Sequence, residues 1–148
     1  MDSAQVAAAM VSVVPFARTL GLEFESAEPG RAVVRLPDAE AVHNHVGGPH
    51  AGAMFALGET ASGAVVLATF ADSLDRALPL AVRAEIAYRK VAMGPVQAVA
   101  RLDGDPAAVV AELDAGGRPE FPVHVDIGTD DGVHTAEMTV TWTLRPHR

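Results

Sequence analysis

Two hydrophobic spacings divide this chain. From Leu80 onward, apolar residues recur at every second position. Leu80, Val82, Ala84, Ile86 and Tyr88 alternate with residues such as Arg83 and Glu85, and Arg89 continues the polar set. Val96, Ala98, Ala100 and Leu102 alternate with Gln97 and Arg101, and Phe121, Val123, Val125 and Ile127 with Pro122, His124 and Asp126. Last, Ala136, Met138, Val140, Trp142 and Leu144 alternate with Glu137, Thr139, Thr141 and Thr143. A period of two with one apolar face predicts an antiparallel sheet covered on one side. Pro106–Ala115 reads as a short helix between two of these strands, and Gly94-Pro95, Gly116-Gly117 and Asp130-Asp131-Gly132 mark turns.

The first half reads differently. Residues 3–14 predict a helix with Ser3 as N-cap and Pro15 as its stop, and PFARTLG adds a turn of helix before Gly21. Leu22–Ala27 and Ala32–Leu36, separated by Glu28-Pro29-Gly30, predict a hairpin. After the glycine-rich stretch HNHVGGPH (His43 to His50) comes AGAMFALGETASGAVVLATFA, Ala51 to Ala71, in which Glu59 is the only ionisable side chain. That stretch predicts a central helix over residues 50–70. Met54, Leu57, Ala61, Val65 and Ala68 share one face; Phe55, Glu59, Ser62 and Val66 share another. Gly58 and Gly63 allow a neighbouring backbone to come close, at some cost in helix propensity. The order is helix, two strands, long helix, four strands, which predicts an α+β domain whose sheet wraps the helix. An apolar face left over once the sheet is covered predicts a partner subunit.

The chain has 148 residues, enough for one domain with a real core, and 1–20 reads as its N-terminal helical segment. A formal charge of −8 argues against nucleic acid or an anionic membrane as the main partner. Cysteine is absent, so there is no disulfide framework, thiolate nucleophile or cysteine zinc site. Residues 51–71 are long enough to span a bilayer, but a central Glu costs about 2.5–3.5 kcal/mol there, and no Lys or Arg cluster flanks the segment. Asp2 stands where a signal peptide needs positive charge. The expectation is a cytoplasmic protein that does not enter the membrane.

A lone acid in an apolar helix is costly unless it is paired or used. The run N-H-V-G-G-P-H-A-G-A-M-F-A-L-G-E-T-A-S-G, Asn44 to Gly63, resembles the pattern of hotdog-fold thioesterases of the phenylacetate-pathway-like group. That pattern is Asn, then His-Gly-Gly at a helix start, then Asp or Glu two turns later. The order of elements agrees over most of the chain, and TVTWTLRP looks like the usual last strand. The resemblance implies a hotdog fold, a curved antiparallel sheet of about six strands around the central helix, dimeric or a dimer of dimers. It also implies hydrolysis of an acyl-CoA or related thioester, with coenzyme A part of the substrate and no metal or organic cofactor. Ala51 departs from the pattern by replacing the first glycine, and Gly63 stands where some relatives carry a hydroxyl; Ser62 and Thr60 are the nearby hydroxyls, and the sequence assigns neither to that role.

Thioester hydrolysis needs a polarised carbonyl and a nucleophile or activated water. Ala51 and Gly52 offer backbone N–H groups at a helix start, where the dipole favours a developing oxyanion. Glu59 offers the base or the nucleophile. Eight residues at 1.5 Å rise set these about 12 Å apart, so one carbonyl cannot meet both within one helix. A second copy across a two-fold axis can supply the other half. Asn44 is expected to orient the thioester or water. Around it, Gly48, Phe55 and Ser62 are candidate substrate contacts, and His50 is expected to cap the turn, hold the loop or touch substrate. Arg83, Arg89, Lys90 and Arg101 are the cations available for coenzyme A phosphates, with Arg89 the candidate contact; their ordinary reading is a solvated strand face. His43, His45 and His50 lack a matching carboxylate spacing for zinc. Glu59 paired with His43, His45 or an Arg is the structural alternative, and a non-catalytic acyl-CoA or lipid binder on the same fold is the functional one. Trp142 and Tyr88 are expected in the core.

Overall fold

The computed structural model describes residues 1–147. Helix α1 (Ser3–Val13) is started by Asp2, whose carboxylate accepts from the Gln5 N–H while the Gln5 side chain returns to the Asp2 N–H. This reciprocal capping box satisfies two otherwise orphaned donors. The expected cap, Ser3, is the first helical residue instead; its hydroxyl bridges to the backbone of Ala27. Helix α2 (Pro15–Leu20) ends at Gly21, whose φ of 68° is the left-handed conformation that glycine adopts freely.

Strands β1 (Glu23–Glu28) and β2 (Arg31–Leu36) form the hairpin, and α3 (Ala51–Thr69) follows. Then come β3 (Ala77–Tyr88), β4 (Val96–Leu102), α4 (Pro106–Asp114), β5 (Glu120–Thr129) and β6 (His134–Pro146). The six strands make one antiparallel sheet in the order β1-β2-β4-β5-β6-β3, with β1 and β3 at its edges.

The alternating positions of β5 and β6 face inward as expected: Phe121, Val123, Val125, Ile127, Ala136, Met138, Val140, Trp142 and Leu144 are all buried. Strand β3 breaks the pattern. Its register with β6 shifts between Ala81 and Arg83, so Val82 sits in a bulge and is exposed. A bulge adds one residue to a strand and turns later side chains over relative to earlier ones. Tyr88 lies on the inner face opposite Ala136, but as the last residue of an edge strand it is 46% exposed rather than in the core.

Helix α3 packs chiefly on β2, β4 and β5, and only lightly on β3 and β6. Met54, Leu57, Ala61, Val65 and Ala68 are buried beneath it, together with Ser62 and Val66 from the other predicted face. Gly58 and Gly63 admit side chains rather than backbone: Met138 Sδ lies against Gly58, and Met10 and Trp142 lie against Gly63. By length and composition α3 could cross a bilayer, yet here it is the core helix of the domain, mostly covered by the sheet.

Candidate active site at the start and uncovered face of helix α3

Apart from Thr69 at its last position, the residues of α3 that are not buried are Ala51, Gly52, Phe55, Ala56, Glu59, Gly63 and Leu67. They fall at helical spacing and make one stripe. Glu59 lies in its middle, half-buried, and among the described residues no side chain donates to it or forms an ion pair with it. Desolvation raises its pKa above the ordinary 4.5, with no charged partner to oppose the effect. The expected structural partners are engaged elsewhere or out of contact: His43 binds Asp38, and Arg89 binds Glu137. Phe55, the predicted contact one turn before Glu59, is half-buried on the same stripe. Leu57, by contrast, is wholly in the core and cannot line a pocket at a subunit seam.

Ser62 turns the other way. It is fully buried, donates to the Glu59 carbonyl at 2.6 Å and accepts the Trp142 indole N–H at 2.9 Å. Its hydroxyl joins helix to sheet in the core, away from the open stripe.

The start of α3 is held by three side chains. Asn44 accepts the N–H groups of Val46 and Gly48 and donates to the Pro49 carbonyl, so its amide closes its own loop. Gly47, at φ 80°, provides the left-handed turn there. Gly48 is buried with its α-carbon hard against the Ala92 carbonyl, where a Cβ would stand 2.2 Å from that oxygen. It therefore acts as a spacer that lets two backbones meet.

His50 is the N-cap, its Nδ1 accepting the Gly52 N–H at 2.8 Å. That bond requires the tautomer with the proton on Nε2. The Tyr88 hydroxyl reaches across from β3 and donates to the Ala51 carbonyl at 2.7 Å. Of the predicted donors, Gly52 is thus already engaged within the chain, while the Ala51 N–H has no acceptor among the described residues.

A cleft of about 390 Å³ opens beside this helix start, lined among others by Asn44, His45, Ala51, Met54, Tyr88 and Val91. Arg89 borders it but spends its guanidinium on Glu137, and Lys90 is the cation beside it. A larger concavity lies on the opposite, charged face of the sheet around His124, Asp126 and Glu137 and does not reach Glu59. The histidines of the 43–50 loop do not converge: among the described residues no three His, Asp or Glu side chains gather as metal ligands.

An antiparallel sheet curled around one long helix, with an N-terminal helix across its end, defines the hotdog fold. The chain belongs to the family DUF4442, a domain of unknown function, which matches residues 3–144. Among solved structures, it is 28% identical to PA5026 of Pseudomonas aeruginosa, a protein of unknown function described as a probable thioesterase. The TM-score is 0.86, with 97% of this chain and 95% of that one covered. PA5202 of the same organism, described as a conserved protein, is 26% identical over 89% of this chain and 94% of that one, with a TM-score of 0.72. The PaaI protein of the E. coli phenylacetic acid degradation operon shares the fold at 18% identity, with a TM-score of 0.75 over 95% and 91% of the two chains. No curated protein matches the chain.

Tyr88 is the site residue that sequence reading missed. Its position in an alternating strand signals an inward side chain, and it does lie opposite buried Ala136; nothing local shows that this strand end meets the start of α3, where the phenol reaches the Ala51 carbonyl instead of the core. For His50, capping the turn was one of three roles the sequence left open, and it is the one the side chain performs here.

Proposed function

We propose that this protein hydrolyses acyl thioesters of the acyl-CoA type at two sites shared between the subunits of a homodimer. The observation that carries this reading is Glu59: half-buried, without a partner, and central on the one face of α3 that its own sheet leaves open. The edge strand β3 and the lightly covered inner side of β3 and β6 support pairing with a second copy, since unpaired strand edges and apolar stripes call for cover. The probable thioesterase similar over nearly the whole chain supports the reaction class.

In this reading the thioester carbonyl sits against the free Ala51 N–H of one subunit and beside Glu59 of the other. The Glu59 carboxylate accepts a proton from water as the water oxygen bonds to the carbonyl carbon, and the Ala51 N–H and the positive end of α3 hold the oxyanion. Collapse breaks the C–S bond, the thiolate takes the proton back from Glu59, and acid and thiol leave. A raised pKa suits a group that must both accept and return a proton. Direct attack by Glu59 through a mixed anhydride uses the same geometry, and trapping the acyl-enzyme separates the two routes.

The test is thiol release from short, medium, long and aromatic acyl-CoAs by wild type and Glu59→Gln. Turnover that falls about 10²–10⁴-fold in the folded variant supports the reading. Acyl-CoA binding without turnover in the wild type would make the protein a ligand-binding module instead.

A further inference from the structure

The Ala51–Gly52 peptide is held at both ends by side chains from different parts of the chain. Its carbonyl oxygen accepts the Tyr88 hydroxyl from the edge strand, and its N–H donates to His50 Nδ1. A peptide unit is a rigid plane, so two bonds on opposite ends fix its orientation about the Ala51 α-carbon. The free Ala51 N–H is carried on that same α-carbon. Helix ends fray where their terminal groups lack partners, and this first turn is instead restrained.

We infer that Tyr88, together with His50, is a positioning residue that clamps the 51–52 peptide and so aims the Ala51 N–H at the substrate carbonyl. This rests on the thioesterase reading for its consequence, but not for its geometry. The clamp is anchored at its far end. Directly after Tyr88, the Arg89 and Lys90 N–H groups both donate to the Thr135 carbonyl, and the buried Thr135 hydroxyl bonds to the Ile127 carbonyl. The phenol therefore projects from a strand end tied into the sheet. Desolvation raises its pKa, which keeps the hydroxyl a donor through neutral pH.

Tyr88 also lines the cleft beside α3, on the edge strand where a second copy would pair. It thereby links the state of that edge to the helix start, and an ordinary surface tyrosine would do neither.

The experiment compares Tyr88→Phe, His50→Ala and His50→Asn by steady-state kinetics and by hydrogen exchange at the Gly52 amide, read by NMR. Tyr88→Phe is expected to lower kcat roughly tenfold with KM within about twofold, because a misaimed donor weakens the transition state more than ground-state binding. It should also speed Gly52 exchange. His50→Ala should do the same, and His50→Asn, whose side-chain oxygen can cap the helix, should recover both readouts in part. Wild-type kcat and wild-type Gly52 exchange in Tyr88→Phe would overturn the clamp. If the wild type hydrolyses no thioester, the thioesterase reading fails on its own, and the exchange rates decide the clamp without it.

Discussion

Ala51→Pro tests the proposed donor at the level of one atom. Ala51 is the first residue of α3, and its N–H has no acceptor in the chain among the described residues. His50 before it sits at φ −62° and ψ 142°, the extended region that a residue preceding proline prefers. Proline is favoured at the first helical position, where its missing N–H would be unpaired anyway. The substitution therefore deletes the donor and disturbs little else, and unfolding stability should stay within about 0.5 kcal/mol of wild type. Losing one oxyanion donor costs about 10²–10³ in kcat, or about 2.7–4 kcal/mol of transition-state stabilisation. The assay is thiol release at saturating acyl-CoA, beside urea denaturation of the same preparation.

Mixing subunits extends the test. Combined with Glu59→Gln, a heterodimer rebuilds one composite site: the Ala51 N–H comes from the Glu59→Gln subunit and the carboxylate from the Ala51→Pro subunit. Random exchange of equal amounts restores roughly a quarter of wild-type turnover, since half the dimers are mixed and each has one intact site of two. Full activity in Ala51→Pro alone would refute the donor assignment. Persistent inactivity in a mixture shown to exchange subunits would refute the shared site.

Three further outcomes are expected. Glu59→Gln should be more stable than wild type at neutral pH. With its pKa raised by burial, folded Glu59 keeps a proton that the unfolded chain releases, so wild-type stability falls as pH rises from 4.5 to the folded value and stays lower above it. The glutamine variant should lack that fall, and urea titrations across the pH range would expose a mistake if its slope matched wild type. Gly48→Ala forces the loop away from the Ala92 carbonyl, because 2.2 Å is far inside contact distance. A loss of about 1–3 kcal/mol and about 100-fold in kcat/KM is expected, and an unchanged melting curve would deny the close approach. Trp142→Phe removes the indole donor to Ser62 and opens space above Gly63. It should cost about 2–3 kcal/mol, near 4–12 °C in Tm, and adding Ser62→Ala should cost less than the sum of the two single changes because the pair shares one bond.

Local chemistry made much of this protein legible before any coordinates. Alternation in β5 and β6 required one buried face, because a strand turns successive side chains to opposite sides. The apolar run ending at Thr69 had to be a covered helix, and the single carboxylate within it had to be either paired or employed. For His50, directly before that run, a cap beside four orphan N–H groups was one of three roles open in the sequence, with holding the loop and touching substrate the others.

Other features were settled by residues far apart in sequence. Asp2 rather than Ser3 caps α1 because Gln5 completes a box with Asp2 while Ser3 finds Ala27 on β1. The bulge at Val82 depends on how β3 meets β6, and it puts Leu80 out of phase with Ala84, Ile86 and Tyr88; Tyr88 stays on the inner face opposite Ala136, but at the strand end it meets the Ala51 carbonyl instead of the core. Ser62 and Glu59 lie three residues apart on one helix, yet the sheet covers the first and leaves the second open. Helical spacing fixes the angle between such side chains, but only the packed sheet decides which of them meets Trp142 and which faces away from it.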